Sequence, residues 1–244
     1  MKWMKEKGEY VDGYMKESNS AGFAVAPGTT RTTVGIHFWK RVFVLKNSKI
    51  PGGKIAVVLM DTQGLWDPET DNKTNCSIYG ISCMLSSYLI ANHKGILTSE
   101  NLKHFAALTE FSKGLVTDTS KPFQRMDILL RDHSDISTTS ENIQDCIDSQ
   151  KVMKEKLLTK PAFCEATNVI KSCFECFDVF CLSNPGLIDN PGFDGRIDHI
   201  NQLFISMLGY YIEKIIKELQ PRKLNDIFMT GKQFVKLVFN IGDK

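Results

Sequence analysis

At 244 residues, 42% hydrophobic and 24% charged, the chain has the length of one substantial α/β domain and an ordinary globular composition. A formal net charge of +2, with both signs well mixed, excludes the basic footprint of a nucleic-acid binder or an anionic-membrane binder. Residues 1–16 are charged throughout and lack an apolar stretch, so they do not read as a secretory signal. Residues 75–92 carry no charge but are too rich in serine and asparagine for a membrane span. Seven cysteines, an odd number, predict free thiols in a reducing compartment and no disulfides. Cys173 and Cys176 form one CxxC without a second ligand pair, so no zinc site is expected; both read as helix-end residues.

Residues 1–30 read as a short helical start that gives way to a Ser/Gly/Pro/Thr-rich loop. Residues 41–45 are expected to fold back through Ile50-Pro51-Gly52-Gly53 as a β-hairpin onto the stretch that follows. That stretch, Ile55-Ala56-Val57-Val58-Leu59-Met60, is continuously apolar and predicts a strand buried on both faces. It ends abruptly in Asp61-Thr62-Gln63-Gly64. Next come a helix over 77–85, a strand over 86–92, and a helix that starts at Ser99-Glu100-Asn101-Leu102. A strand over 126–130 closes in Arg131-Asp132-His133. Residues 138–160 are polar and amphipathic, Pro161 interrupts them, and a further helix runs to about 176. A strand over 177–182 leads into Asn184-Pro185-Gly186-Leu187, and helices over 200–219 and 227–240 complete the chain. Strands alternating with helices predict an α/β fold with a mostly parallel sheet wrapped on both faces.

Open α/β sheets place ligand sites at the carboxyl ends of their strands. Asp61 stands at such an end, where an acid holds magnesium through water, and Gly64 lets its backbone N–H approach a γ-phosphate. The same four residues also suit an ordinary strand–turn junction with Asp as its cap. The Asp132 carboxylate can accept two hydrogen bonds, from the N1–H and the 2-amine of guanine. Adenine lacks that donor pair, so Asp132 would select GTP over ATP. The alternative for Arg131-Asp132 is a surface ion pair. Thr33 precedes a strand: its hydroxyl can reach magnesium and its backbone the γ-phosphate or attacking water, or it is a plain turn threonine.

Order and spacing combine these places. Thr33-Val34-Gly35-Ile36 with Trp39 beyond, then Leu59 to Gly64, Leu130-Arg131-Asp132, Asn184-Pro185-Gly186-Leu187 and Asn190-Pro191-Gly192-Phe193-Asp194-Gly195 follow in register. With Ser86-Ser87, Asn92 and Lys121-Pro122-Phe123, the pattern resembles the G domain of atlastins and, more distantly, of guanylate-binding proteins. The likeness runs from about residue 22 to 244. It implies a dynamin-superfamily GTPase with a three-layer, P-loop-GTPase-like sheet, magnesium as cofactor, and GTP and GDP as ligands. It also implies a G-domain homodimer or pairing with a full-length relative, at the cytoplasmic face of the endoplasmic reticulum membrane. By the same likeness Thr33 is the catalytic and metal-binding switch I threonine, although neighbouring Thr32 competes for that place. Asp61 holds metal and nucleotide, Gln63 meets the nucleotide, and Gly64 is the catalytic switch II glycine. Arg131 and Asp132 read the base, with Asn190 in a second base-side loop that is slightly shorter here than in atlastins.

One part of that family's equipment is not in these 244 residues. A phosphate-binding loop ends Gly-Lys-Ser, but Gly53-Lys54 is followed by Ile and Gly231-Lys232 by Gln. The arginine that such a loop carries in this family is worth about a thousandfold or more in rate. Residues 1–30 are therefore read as a remnant and 31–244 as an incomplete G domain, without the central first strand and without the helical middle domain and membrane segments of atlastins. Alone, the chain is expected to be inactive and to expose a sticky slot where that strand belongs. The rival expectation is a pseudo-GTPase, a non-catalytic interaction module.

Overall fold

The structure is a computed structural model that describes residues 23, 33–47, 50, 52–65, 70–116, 121–133, 143–186, 196–224 and 226–242. The expected helical start and loop before residue 31, and Thr32, lie outside the described residues.

Four short strands come first and form two antiparallel pairs. Strand β1 (Ile36–Phe38) pairs with β4 (Met60–Thr62), and β2 (Phe43–Lys46) pairs with β3 (Lys54–Val57). The hairpin between β2 and β3 turns through Gly52 and Gly53, both at positive φ, as the Pro-Gly-Gly sequence foretells. The apolar run over 55–60 departs from expectation. It splits at Val58-Leu59 into β3 and β4, and it is not buried on both faces: Ile55 is buried, whereas Leu59 is 41% exposed. The reason is pairing, since among the described residues each half has a neighbour on one edge only.

The centre of the molecule is a parallel three-stranded sheet in the order β5 (Leu89–Lys94), β6 (Phe123–Arg131), β7 (Phe174–Cys181). Strand β5 pairs with β6 alone among the described residues. Alternation along β6 and β7 separates two cores. Met126, Ile128, Leu130, Val179 and Cys181 turn to a face covered by α1 (Asn72–Leu85), α2 (Ser99–Gly114) and α4 (Pro161–Cys173). Leu129, Phe180 and Leu182 turn the other way, onto Cys146 of α3 (Ile143–Leu158) and Met207 and Tyr211 of α5 (Gln202–Glu218). Helices therefore lie on both faces of the sheet, as the alternating strands and helices predict.

Local chemistry sets the helix ends. Asp71 caps α1 by accepting from Thr74 N at 2.8 Å, and Thr98 with Asn101 forms a capping box at α2. Pro161 occupies the first turn of α4, where its missing N–H costs nothing. Several boundaries differ from the sequence reading: α1 starts at Asn72 and not at 77, β6 runs over Phe123–Arg131 and not 126–130, and β7 over Phe174–Cys181 and not 177–182. The strand expected over 86–92 begins at Leu89, because Ser86 caps α1 by donating both its N–H and its hydroxyl to Ser82 O. Cys176 lies exposed in β7, not at a helix end, because α4 stops at Cys173. The helix expected over 227–240 begins at Gly231 (α6, Gly231–Gly242), after the hairpin β8 (Lys223–Leu224) and β9 (Ile227–Phe228). Asp226 adopts a left-handed turn there, and Thr230 with Gln233 opens a fresh helix. All seven cysteines are free thiols. Among the described residues no helix is long and apolar enough to cross a membrane.

On the α3/α5 face the sheet carries charge inside the protein. Asp127, fully buried, accepts from Tyr88 at 2.6 Å, Arg125 at 2.9 Å and Tyr211 at 3.3 Å, with Lys214 at 3.6 Å. Arg125 also reaches Glu218 at 3.0 Å, while Asp178 takes Lys154 and Lys214, each at 2.7 Å. Burial first, and then the neighbouring Asp127 carboxylate, pushes both phenols far above their usual range, so Tyr88 and Tyr211 act as neutral donors. Burial alone would raise Asp178, but the hydrogen bonds from Lys154 and Lys214 prevail and hold it below the usual carboxylate value. Three cations and three carboxylates thus balance, which is the condition under which buried charge is tolerated.

Candidate functional site

The structure gathers the candidate residues in two groups. The first sits on the β1–β4 ribbon, where antiparallel pairing sets His37 opposite Asp61 and Ile36 opposite Thr62. That register brings Thr33, just before β1, to Asp61, and the Thr33 hydroxyl donates to Asp61 Oδ2 at 2.7 Å across 28 residues of sequence. Gln63 locks the approach. Its N–H donates to Gly35 O at 3.0 Å, and its side-chain oxygen accepts from Gly35 N at 2.8 Å. Its amide nitrogen donates to Thr70 Oγ1 at 2.9 Å. Gln63 is only 4% exposed, so these bonds replace water that the amide has lost. Gly35 has φ of +75°, a backbone shape that a side chain would strain, and this shape makes the double contact with Gln63. Gly64 is exposed with open space about its α-carbon.

One carboxylate and one hydroxyl, both hard oxygen donors, lie side by side in this group. Such a pair suits magnesium, which keeps several waters and takes further ligands from a bound phosphate. Among the described residues no group of three or more His, Cys, Asp or Glu is placed to hold a metal ion.

The second group crowns the carboxyl end of the parallel sheet. Arg131 ends β6, and its Nε donates to Asn92 Oδ1 of β5 at 2.6 Å. Asp132 follows in the left-handed region, φ +57°, a shape that Asp tolerates better than most residues. The turn is fastened on both flanks: Gly95 N donates to Arg131 O at 2.7 Å, and His133 N to Leu182 O at 3.0 Å. The Asp132 carboxylate faces Lys94 at 3.6 Å. The surface ion pair considered for Arg131-Asp132 thus takes another form, with each side chain paired to β5. Asn190 lies outside the described residues.

Lys94, Gly95 and Thr70 were not legible as site residues. Alternation on β5 does place Asn92 and Lys94 on one face, but only the parallel register with β6 shows that they meet Arg131 and Asp132.

Comparison with known proteins adds a second line of observation. Residues 10–224 match the family described as guanylate-binding protein, N-terminal domain. Mouse Atlastin-1 is 32% identical over 219 residues, which is 87% of this chain and 38% of Atlastin-1. Drosophila melanogaster Atlastin is 33% identical over 194 residues, 77% of this chain and 35% of that protein. Xenopus laevis Atlastin-2 is 33% identical over 207 residues, covering 82% and 34% respectively. The chain spans a little over a third of the length of these relatives.

Proposed function

The chain belongs to the guanylate-binding protein N-terminal domain family, within the dynamin-superfamily GTPases, and on that premise we propose that it is the guanine-nucleotide-binding domain of an atlastin-like GTPase. The observation that carries the proposal is the 2.7 Å hydrogen bond between Thr33 and Asp61. It joins a hydroxyl and a carboxylate that lie 28 residues apart in sequence and each suit magnesium chemistry. In this reading Thr33 ligates the ion and places the attacking water, Asp61 holds the ion through water, and Gly64 senses the γ-phosphate with its N–H. Gln63 keeps the two segments in register. When bound, magnesium would be held by Thr33 and Asp61 and would offset negative charge developing on the phosphate. Arg131 packs at the base, Asp132 selects guanine, and Asn190 serves the second base-side loop. Hydrolysis of GTP to GDP and phosphate, G-domain dimerisation and tethering of endoplasmic-reticulum membranes complete the proposal.

A second reading rests on a specific observation: these 244 residues contain no Gly-Lys-Ser phosphate loop. A chain with Thr33, Asp61 and Asp132 but without that loop's lysine and arginine fits a pseudo-GTPase that pairs with a full-length relative. Binding of a fluorescent GTP analogue with and without magnesium tests the first reading. Magnesium is expected to tighten binding about tenfold in the unaltered chain, the size of one charge-assisted contact, and to do nothing for Asp61→Ala. Equal affinity with and without magnesium in the unaltered chain would overturn it.

A further inference from the structure

Helix α3 presents a buried stripe of Cys146, Gln150, Met153 and Leu157, and one member is polar. Gln150 is 8% exposed, so its amide must find partners inside the protein. It finds both on one residue. Its Nε2 donates to Cys181 O, and its Oε1 accepts from Cys181 N at 2.9 Å. Successive residues of a strand direct their backbone groups to opposite edges. Leu182 turns its N–H and C=O inward, to Leu130 O at 2.7 Å and His133 N at 3.0 Å, so Cys181 turns its own outward. Strand β7 has no neighbour on that outer edge among the described residues. The side-chain amide of Gln150 thus stands where the next strand would be and satisfies the last open rung of β7.

The position of that rung matters. Leu182 O accepts from His133 N, the backbone group that fastens the left-handed turn at Asp132 on its far side. A continuous chain of contacts therefore runs from Gln150 through Cys181 and Leu182 to His133 and Asp132. We infer that Gln150 is a positioning residue for base selection, holding the carboxyl end of β7 so that Asp132 presents both carboxylate oxygens to guanine. The inference rests on the guanine reading of Asp132 given above.

GTP and ITP differ only by the 2-amine, so the ratio of their affinities reads the second hydrogen bond to Asp132. The test measures GTP and ITP binding by the whole chain, unaltered and as Gln150→Leu and Gln150→Glu. Hydrogen exchange at the His133 and Cys181 amides is followed in parallel. Gln150→Glu keeps the acceptor for Cys181 N and serves if Gln150→Leu does not fold. The expected result is a GTP-over-ITP preference reduced about tenfold, ITP affinity held within about twofold, and faster exchange at His133. Exposed Gln144, on the same helix, should change nothing as Gln144→Leu. An unchanged ratio overturns the inference, as does an equal loss of both affinities, the signature of a merely structural role. If the unaltered chain binds neither nucleotide, the guanine reading itself has failed and the inference falls with it.

Discussion

The two groups of candidate residues rest on different foundations. Arg131 and Asp132 sit at the end of a strand whose Met126, Ile128 and Leu130 are wholly buried, with helices on both faces and a balanced ionic network beneath. Thr33 and Asp61 sit on a ribbon of three residues per strand, next to a second ribbon of four, and Val34, Val42, Val44 and Leu59 of this region lie exposed. Packing therefore fixes the Arg131–Asp132 group, as the proposed discrimination between bases by geometry would require. The Thr33–Asp61 group is held by hydrogen bonds, chiefly those of Gln63, in a region with little core of its own. Stability in such a region is low, and it is the kind of region that ligands order.

Three substitutions sharpen this contrast. The largest effect is expected at Asp127. Asp127→Ala strips the carboxylate from a fully buried site and leaves Arg125 and Lys214 with one anion fewer, at a cost of about 3–5 kcal/mol. Denaturant unfolding followed by helical circular dichroism reads that loss directly. Ile128→Ala should cost about 2–5 kcal/mol, because β6 is closed on both faces and cannot collapse around the gap. By the same measurement Val44→Ala, at a residue 58% exposed on a ribbon, should stay within about 0.5 kcal/mol. Similar losses at Ile128 and Val44 would erase the contrast.

A smaller effect belongs to acid pH. The Asp178 carboxyl lies below its ordinary value in the folded protein, since Lys154 and Lys214 outweigh the cost of its burial. Its contribution to stability is therefore complete above the unfolded value of about 4 and is lost as pH falls through the lower folded value. Melting temperatures measured between about pH 2 and pH 6 should drop on the acid side, and Asp178→Asn should flatten that limb. An identical acid limb in the variant would remove Asp178 from the account.

Much of the sheet and helix order was legible, because the periods of α2 and α5 are long and regular, the centre of β6 is apolar, and Pro161 marks a helix start. The apolar run at 55–60 was legible as strand but not in its burial: a pattern reports what the side chains suit, not which neighbours are present. The starts of β5 and α6 were missed because Ser86 and Thr230 act as caps through hydrogen bonds that propensity does not reveal. At the site, residue types were legible and meetings were not. Thr33 and Asp61 meet through an antiparallel register, and Asp132 meets Lys94 through a parallel one. Gln150 lay unremarked in the polar, amphipathic 138–160 segment, with nothing in the sequence to name Cys181 as its partner.

The central claim is that this domain reads guanine through Asp132, and exchange of partner chemistry tests it most directly. Xanthine replaces the guanine 2-amine with a carbonyl. Asn at position 132 would accept from N1–H and donate to that carbonyl, where Asp can only accept. Affinities for GTP and XTP should be measured on the unaltered chain and on Asp132→Asn at fixed magnesium. The account predicts a preference for GTP of roughly a hundredfold or more in the unaltered chain, reversed to XTP in the variant. An unaltered chain that does not distinguish the two, or a variant that keeps its preference for GTP, would contradict it.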